Sequence, residues 1–169
     1  MAETFEERMA QIRARNLWDP NEILPRLYLG NGNDAKNKGK LISEGFTHIV
    51  NVADDVENFF PNDFQYLNLQ VGDFGTDEGI TRVFPQCFEY LDEHWRNNEK
   101  SKVLVHCAAG MNRSATICIA VSMKYENKTL AEAFQFVRSK RRVQPIKDNR
   151  QQLMKYEMEL YHKNTMTED

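Results

Sequence analysis

Residues 103–114 read Val103-Leu104-Val105-His106-Cys107-Ala108-Ala109-Gly110-Met111-Asn112-Arg113-Ser114, and this stretch decides the fold. Three β-prone apolar residues lead into His106 and Cys107, and Arg113-Ser114 open an apolar run that reads as a helix. Strand, tight loop and helix N-terminus in that order aim backbone N–H groups at an anion. The five residues between Cys107 and Arg113 let the loop curl with its amides inward, the thiol at the bottom and the guanidinium at the rim. Gly110 is the residue best able to take a positive φ in that curl. A helix N-terminus and an arginine both favour the thiolate, which is the nucleophilic form of cysteine. Arg113 can grip two phosphoryl oxygens in a planar fork, and Ser114 can donate a hydrogen bond to the sulfur and help it leave. The stretch is a phosphate cradle with a nucleophile in its floor, and its backbone contacts come from Ala108, Ala109, Gly110, Met111, Asn112 and Arg113.

The rest of the chain frames one domain. Its 169 residues suffice for one well-cored unit, and 22 basic against 25 acidic residues leave a net charge of −3. That balance argues against a general nucleic-acid binder or a polybasic membrane module, so attraction to phosphate must be local. The three cysteines, Cys87, Cys107 and Cys118, form neither a disulfide scaffold nor a zinc pattern, and Cys87 and Cys118 read as small core residues. The start carries no signal-peptide pattern, and the run Ala115 to Met123 is too short to span a bilayer. The expectation is a cytoplasmic protein, with the nucleus as a second compartment.

In chain order, Phe5, Met9 and Ile12 suggest a short amphipathic helix over Glu6 to Leu17, within an N-terminal extension of residues 1–20. Ile23 to Gly30 reads as one edge strand with a proline at its entrance. Asn33 is a candidate cap for a helix running to Glu44, with Gly45 as its left-handed stop. Phe46 to Val52 and Phe64 to Leu69 read as buried strands, the first holding a structural His48. Val71 to Gly79 is an acidic loop. Val83 to Trp95 marks a helix with Pro85 in its first turn, and Ala115 to Tyr125 a central helix. Thr129-x-x-Glu132 is a capping box opening a helix through Ser139, and Pro145 precedes a last helix over Lys147 to His162. Residues 163–169 have nothing to bury and are expected to fray. The dense basic run Arg138, Lys140, Arg141, Arg142 reads as a solvated helix end, with a second phosphate-docking patch as the alternative.

His106-Cys107-x5-Arg113-Ser114 resembles the signature of the cysteine-dependent protein phosphatases, and its flanks resemble the small dual-specificity branch from about Ile23 to Leu160. Leu27-Tyr28-Leu29-Gly30 and Gly45-x-Thr47-His48-Ile49 match elements of that family. The resemblance implies an α/β fold with a mostly parallel sheet flanked by helices, over residues 21–162. It implies hydrolysis of phosphotyrosine and phosphoserine/phosphothreonine in protein substrates through a cysteinyl-phosphate, with no cofactor and no metal. By position it assigns the general acid to Asp73, with Asp77 as rival, and makes His106 a residue that holds loop and thiolate in place. A Lys-Asn-Arg-Tyr segment and a Trp-Pro-Asp loop, which phosphotyrosine-only relatives carry, are missing, so the resemblance implies a shallow pocket. The loop interior is neutral, which favours a phosphoprotein over a phosphoinositide, while Asn112-Arg113 keeps RNA 5′ ends as a further alternative. The sequence is also similar to the catalytically dead phosphoserine/threonine/tyrosine-interacting relatives, which would make it a phospho-binding module, but Cys107, Arg113 and Asp73 are all present. The family's asparagine after the proline is Ile146 here, which leaves open the residue that buttresses the loop.

Overall fold

The computed structural model describes residues 2–9, 17–73 and 76–167. A helical stretch at residues 5–9 covers the start of the amphipathic segment, and its continuation through Ile12 lies outside the described residues. Five strands follow: β1 (Asn21–Leu24), β2 (Leu27–Gly30), β3 (His48–Ala53), β4 (Gln65–Val71) and β5 (Val103–His106). They lie in the order β1-β2-β5-β3-β4, with β1 antiparallel to β2 and every other pairing parallel. The helices are α1 (Gly32–Ala35), α2 (Lys38–Ser43), α3 (Phe84–Leu91), α4 (Arg113–Glu126), α5 (Leu130–Lys140) and α6 (Lys147–Tyr161). The fold class read from the sequence is the one observed.

β3 and β5 are buried at every position, as strands covered on both faces must be. Their alternate side chains feed two cores. Val50, Val52, Val103 and Val105 pack under α3, α4, α5 and α6, while Ile49 and Leu104 face Leu41, Phe46 and Phe64 on the other side. α4 is buried from Arg113 to Met123, the central helix that its composition foretold. Cys87 and Cys118 are packed in this core, and burial pushes the Cys87 thiol up to about 12 and raises that of Cys118 too.

Four local expectations need correction. Ile23 to Gly30 is two strands rather than one, because the chain reverses at Pro25-Arg26, where Arg26 takes a φ of 66°. Its guanidinium makes the turn useful by donating to the carbonyls of Asn98 and Ser101, at 2.8 and 2.9 Å. The helix expected from Asn33 to Glu44 is also two pieces. Asn31, not Asn33, caps the first through a capping box with Asp34, and Asn37 caps the second; Gly45 does stop it at φ +82°. Finally, the tail is held as far as Met166: Thr165 bonds to Glu157 and Ala131, and Met166 packs on the main core. Other boundaries moved by one or two residues, and α3 continues beyond Leu91 as a π turn, Asp92–Arg96.

The reassigned cap has a measurable consequence. Replacing Asn31 by alanine should cost about 0.5–2 kcal/mol. The same change at exposed Asn33 should be close to neutral, as urea unfolding would read directly.

Candidate active site

β5 lies between β2 and β3, so the chain changes direction around it, and Gly30 and Asn51 flank His106 at the C-terminal ends of the parallel strands. This is the switch point where open α/β sheets bind ligands. The loop 107–112 leaves β5 there and enters α4, whose first turn no side chain caps.

The loop's shape follows from where its carbonyls go. Cys107 O accepts from His106 Nδ1 at 3.0 Å, Ala108 O from Gly32 N at 2.8 Å, Gly110 O from Arg141 Nε at 3.0 Å and Met111 O from Gln144 N at 2.7 Å. Asn112 O takes both the N–H and the hydroxyl of Thr116, at 2.9 and 2.8 Å. With these carbonyls anchored outward, the amides turn toward the cradle. Gly110 has a φ of +70°, and a Cβ there would come within 2.5 Å of the Gly30 carbonyl oxygen. No other residue fits.

Inside the cradle, Cys107 Sγ lies 3.1 Å from Ser114 Oγ, and both side chains are buried. Arg113 is fully buried. Its Nη1 donates to Asp55 Oδ1 and the Val71 carbonyl, both at 2.9 Å, and sits 3.5 Å from Asp54 Oδ1. Its Nη2 lies 3.4 Å from Asp73 Oδ2. The long buried chain is therefore aimed by backbone and carboxylates together. Burial pushes the His106 imidazole below its ordinary value; the hydrogen bond to the Cys107 carbonyl works against this and Arg113 adds to it, with the net shift downward. Through Nδ1–H donated to the Cys107 carbonyl, the buried ring is tied to the first residue of the loop.

The two rival aspartates part company. Asp77 Oδ2 accepts from Gly72 N and Oδ1 from Gly79 N, each at 2.9 Å, and Arg82 Nη2 sits 2.6 Å from Oδ2. Burial alone would raise its carboxyl, but Arg82 and the two amides outweigh that and hold it below the usual carboxylate range. Asp77 pins its own loop. Asp73 instead reaches the cradle, accepting from Asn112 Nδ2 at 2.7 Å beside Arg113.

Asn112 is a connector that its loop position alone did not reveal. Its Oδ1 accepts from Ile146 N at 2.8 Å and Asn149 Nδ2 at 2.9 Å, so the buttress left open by the sequence is Asn149 acting with the Ile146 amide. Arg141 likewise leaves the solvated run to which its neighbours belong. It is buried, and it joins Gly110 to Asn21 Oδ1 at 2.9 Å and to the Asp19 carbonyl. Asp54 and Asp55 were not singled out from the sequence; their only signal was two carboxylates directly after a buried strand.

Residues 27–159 match the family model described as dual specificity phosphatase, catalytic domain. The chain belongs to this family. It is 40% identical over 124 residues to human dual specificity protein phosphatase 4, which covers 73% of this chain and 31% of that protein. It is 34% identical over 157 residues to dual specificity protein phosphatase 18 of Pongo abelii, covering 92% and 82%. Several of the relatives are much longer, and the chain spans 17% of a MAP kinase phosphatase with leucine-rich repeats from Dictyostelium discoideum. Among solved structures, human DUSP28 superposes with a TM-score of 0.74 at 29% identity, covering 83% of this chain and 94% of that one. The human tyrosine phosphatase-like serine/threonine/tyrosine-interacting protein does so at 0.75 and 32%, covering 86% and 99%.

The close approach at Gly110 can be tested alone. Gly110→Ala should leave circular dichroism and cooperative unfolding recognisable, yet weaken vanadate binding and turnover at least about tenfold, since left-handed strain and a backbone clash fall on the loop itself. Vanadate titration and steady-state kinetics would check it.

Proposed function

We propose that this chain is a cysteine-dependent protein phosphatase that hydrolyses phosphotyrosine and phosphoserine/phosphothreonine in phosphoprotein substrates. The observation that carries the reading is the convergence of Asp73, Arg113, Cys107 and Ser114 on one anion cradle while Asp77 is committed to Arg82. Loop amides and the Arg113 fork hold the phosphoryl oxygens, and Cys107 Sγ attacks phosphorus in line with the ester oxygen. As the S–P bond forms and the P–O bond breaks, Asp73 gives its proton to the leaving oxygen. Asp73, now a carboxylate, takes a proton from water as that water attacks the cysteinyl-phosphate. The thiolate leaves with the Ser114 hydroxyl as its hydrogen-bond donor, which the 3.1 Å contact supports. His106 takes no proton in this scheme and sets the loop. No helix among the described residues is long and apolar enough to cross a membrane.

Leaving-group protonation matters most when the leaving oxygen is poor. Asp73→Asn should slow a phosphothreonine peptide by about 10²–10⁴-fold. It should slow an activated nitrophenyl ester far less, and should remove the basic limb of the pH–rate profile. Asp77→Asn should keep that limb, and lower stability through the loss of an ion-paired carboxylate. The reverse outcome would move the acid to Asp77.

Cys107→Ser tests the nucleophile. Turnover should vanish while phosphopeptide binding, measured by calorimetry, persists on the amides and Arg113. Hydrolysis of phosphotyrosine peptides alone by the parent enzyme, with phosphothreonine peptides untouched, would overturn the breadth of the proposed specificity.

A further inference from the structure

The N-terminus of α5 is capped by three separate segments. Thr129 Oγ1 accepts from Glu132 N at 3.2 Å, Glu157 Oε2 from Leu130 N at 2.7 Å and Thr165 Oγ1 from Ala131 N at 3.0 Å. Thr165 also donates its amide to Glu157 Oε1 at 2.8 Å and its hydroxyl to Glu157 Oε2 at 2.6 Å. Glu157 is fully buried, and among the described residues no lysine, arginine or histidine forms an ion pair with it. Its charge is met by the Leu130 amide and the two donors of Thr165. A buried carboxylate so dependent on one hydroxyl is sensitive to that hydroxyl's chemistry. Thr165 as a residue is exposed, and Met166 beside it anchors the segment on the core. The chain continues Met166-Thr167-Glu168-Asp169, which puts a carboxylate three residues after Thr165.

We propose that Thr165 is a phosphorylation site for an acid-directed serine/threonine kinase, and that its modification releases residues 163–167 from Glu157. The kinase transfers the γ-phosphoryl group of ATP to Thr165 Oγ1. The O–H bond breaks, an O–P bond forms, the proton passes to the kinase's carboxylate base and ADP leaves. The modified oxygen has no proton to give Glu157. It brings about −1.5 to −2 charges against a carboxylate that was 2.6 Å away. The helix N-terminus, Lys128 and Lys163 pull the other way, since both lysines act on the neighbouring Glu132. Lys163 is exposed and screened by solvent, Lys128 is held over the Phe136 ring and the Leu130 amide is already taken by Glu157, so repulsion from the buried Glu157 carboxylate prevails. The expelled threonine draws Met166 off the core. That opens one wall of the groove that Met166 shares with Phe134, Arg138, Arg142 and Arg150.

The test uses the full chain carrying Cys107→Ser, so that the phosphate is not removed by the protein itself. Incubated with an acid-directed kinase and ATP, it should gain one phosphate mapped to Thr165 by mass spectrometry, and Thr167→Ala should not prevent it. Failure of the folded chain to accept phosphate, while a peptide of residues 160–169 accepts it at threonine 165, would overturn the proposal. Independently, phosphothreonine installed at 165 by codon expansion should raise hydrogen exchange at Ala131 and at residues 165–167 about tenfold or more. Thr165→Val, which removes the hydroxyl without adding charge, should raise it less. Unchanged or slower exchange at Ala131 in the phosphorylated protein would mean that the phosphate strengthens the cap, and the release is then wrong.

Discussion

Every part of the site depends on carbonyls of one six-residue loop being held outward. A buried peptide group must find a partner, and here those partners arrive from β2's end, α5's end and the Pro145 segment through Gly32, Arg141 and Gln144. Only with the oxygens so occupied can the amides between Cys107 and Arg113 face a common centre. Gly110 has a left-handed backbone, and any Cβ there would collide with the Gly30 carbonyl. The sheet order matters because it sets β2 and β3 on either side of β5, so their ends supply the walls of this cradle.

A second dependence runs through Asn112. Its amide side chain joins Asp73, in the loop after β4, to Ile146 and Asn149 at the start of α6. Asp73 therefore shares a hydrogen-bonded node with the loop, a short route by which repacking of α6 would be felt at the site. Asp54 and Asp55 act on Arg113 at its other terminal nitrogen, Nη1. Both are half-exposed while Arg113 is buried, so the ion pairs are anchored at one end only. A guanidinium placed this way can exchange carboxylate partners for phosphoryl oxygens without moving its stem.

Much of this was legible in the chain. Cys107, Arg113, Ser114 and Gly110 lie within one contiguous motif, and local spacing is enough when the chemistry is local. Thr129 and Glu132 announced their helix start for the same reason. Asn31 and Asn33 were harder to tell apart, since both are good caps two residues apart and only the backbone at Asn31 is extended. The hairpin at Pro25-Arg26 was missed because its turn is carried by a positive-φ arginine, which no turn propensity favours.

The sequence alone determined the α/β class, the strand-loop-helix unit from Val103 to Ser114 and the central place of α4, because each is written in neighbouring residues or a single periodicity. The tertiary structure decided what depends on contacts distant in sequence. Arg141 and Arg142 are adjacent basic residues, yet only Arg141 turns inward, where the Gly110 carbonyl, 31 positions away, needs a donor. Asp73 and Asp77 are both loop acids, and what separates them is that Arg82 and two amides claim one while Asn112, 39 positions along the chain, receives the other. Composition assigns a charge to each of these side chains, but a charge acquires its role from the partner that burial leaves within reach, and partners are set by packing.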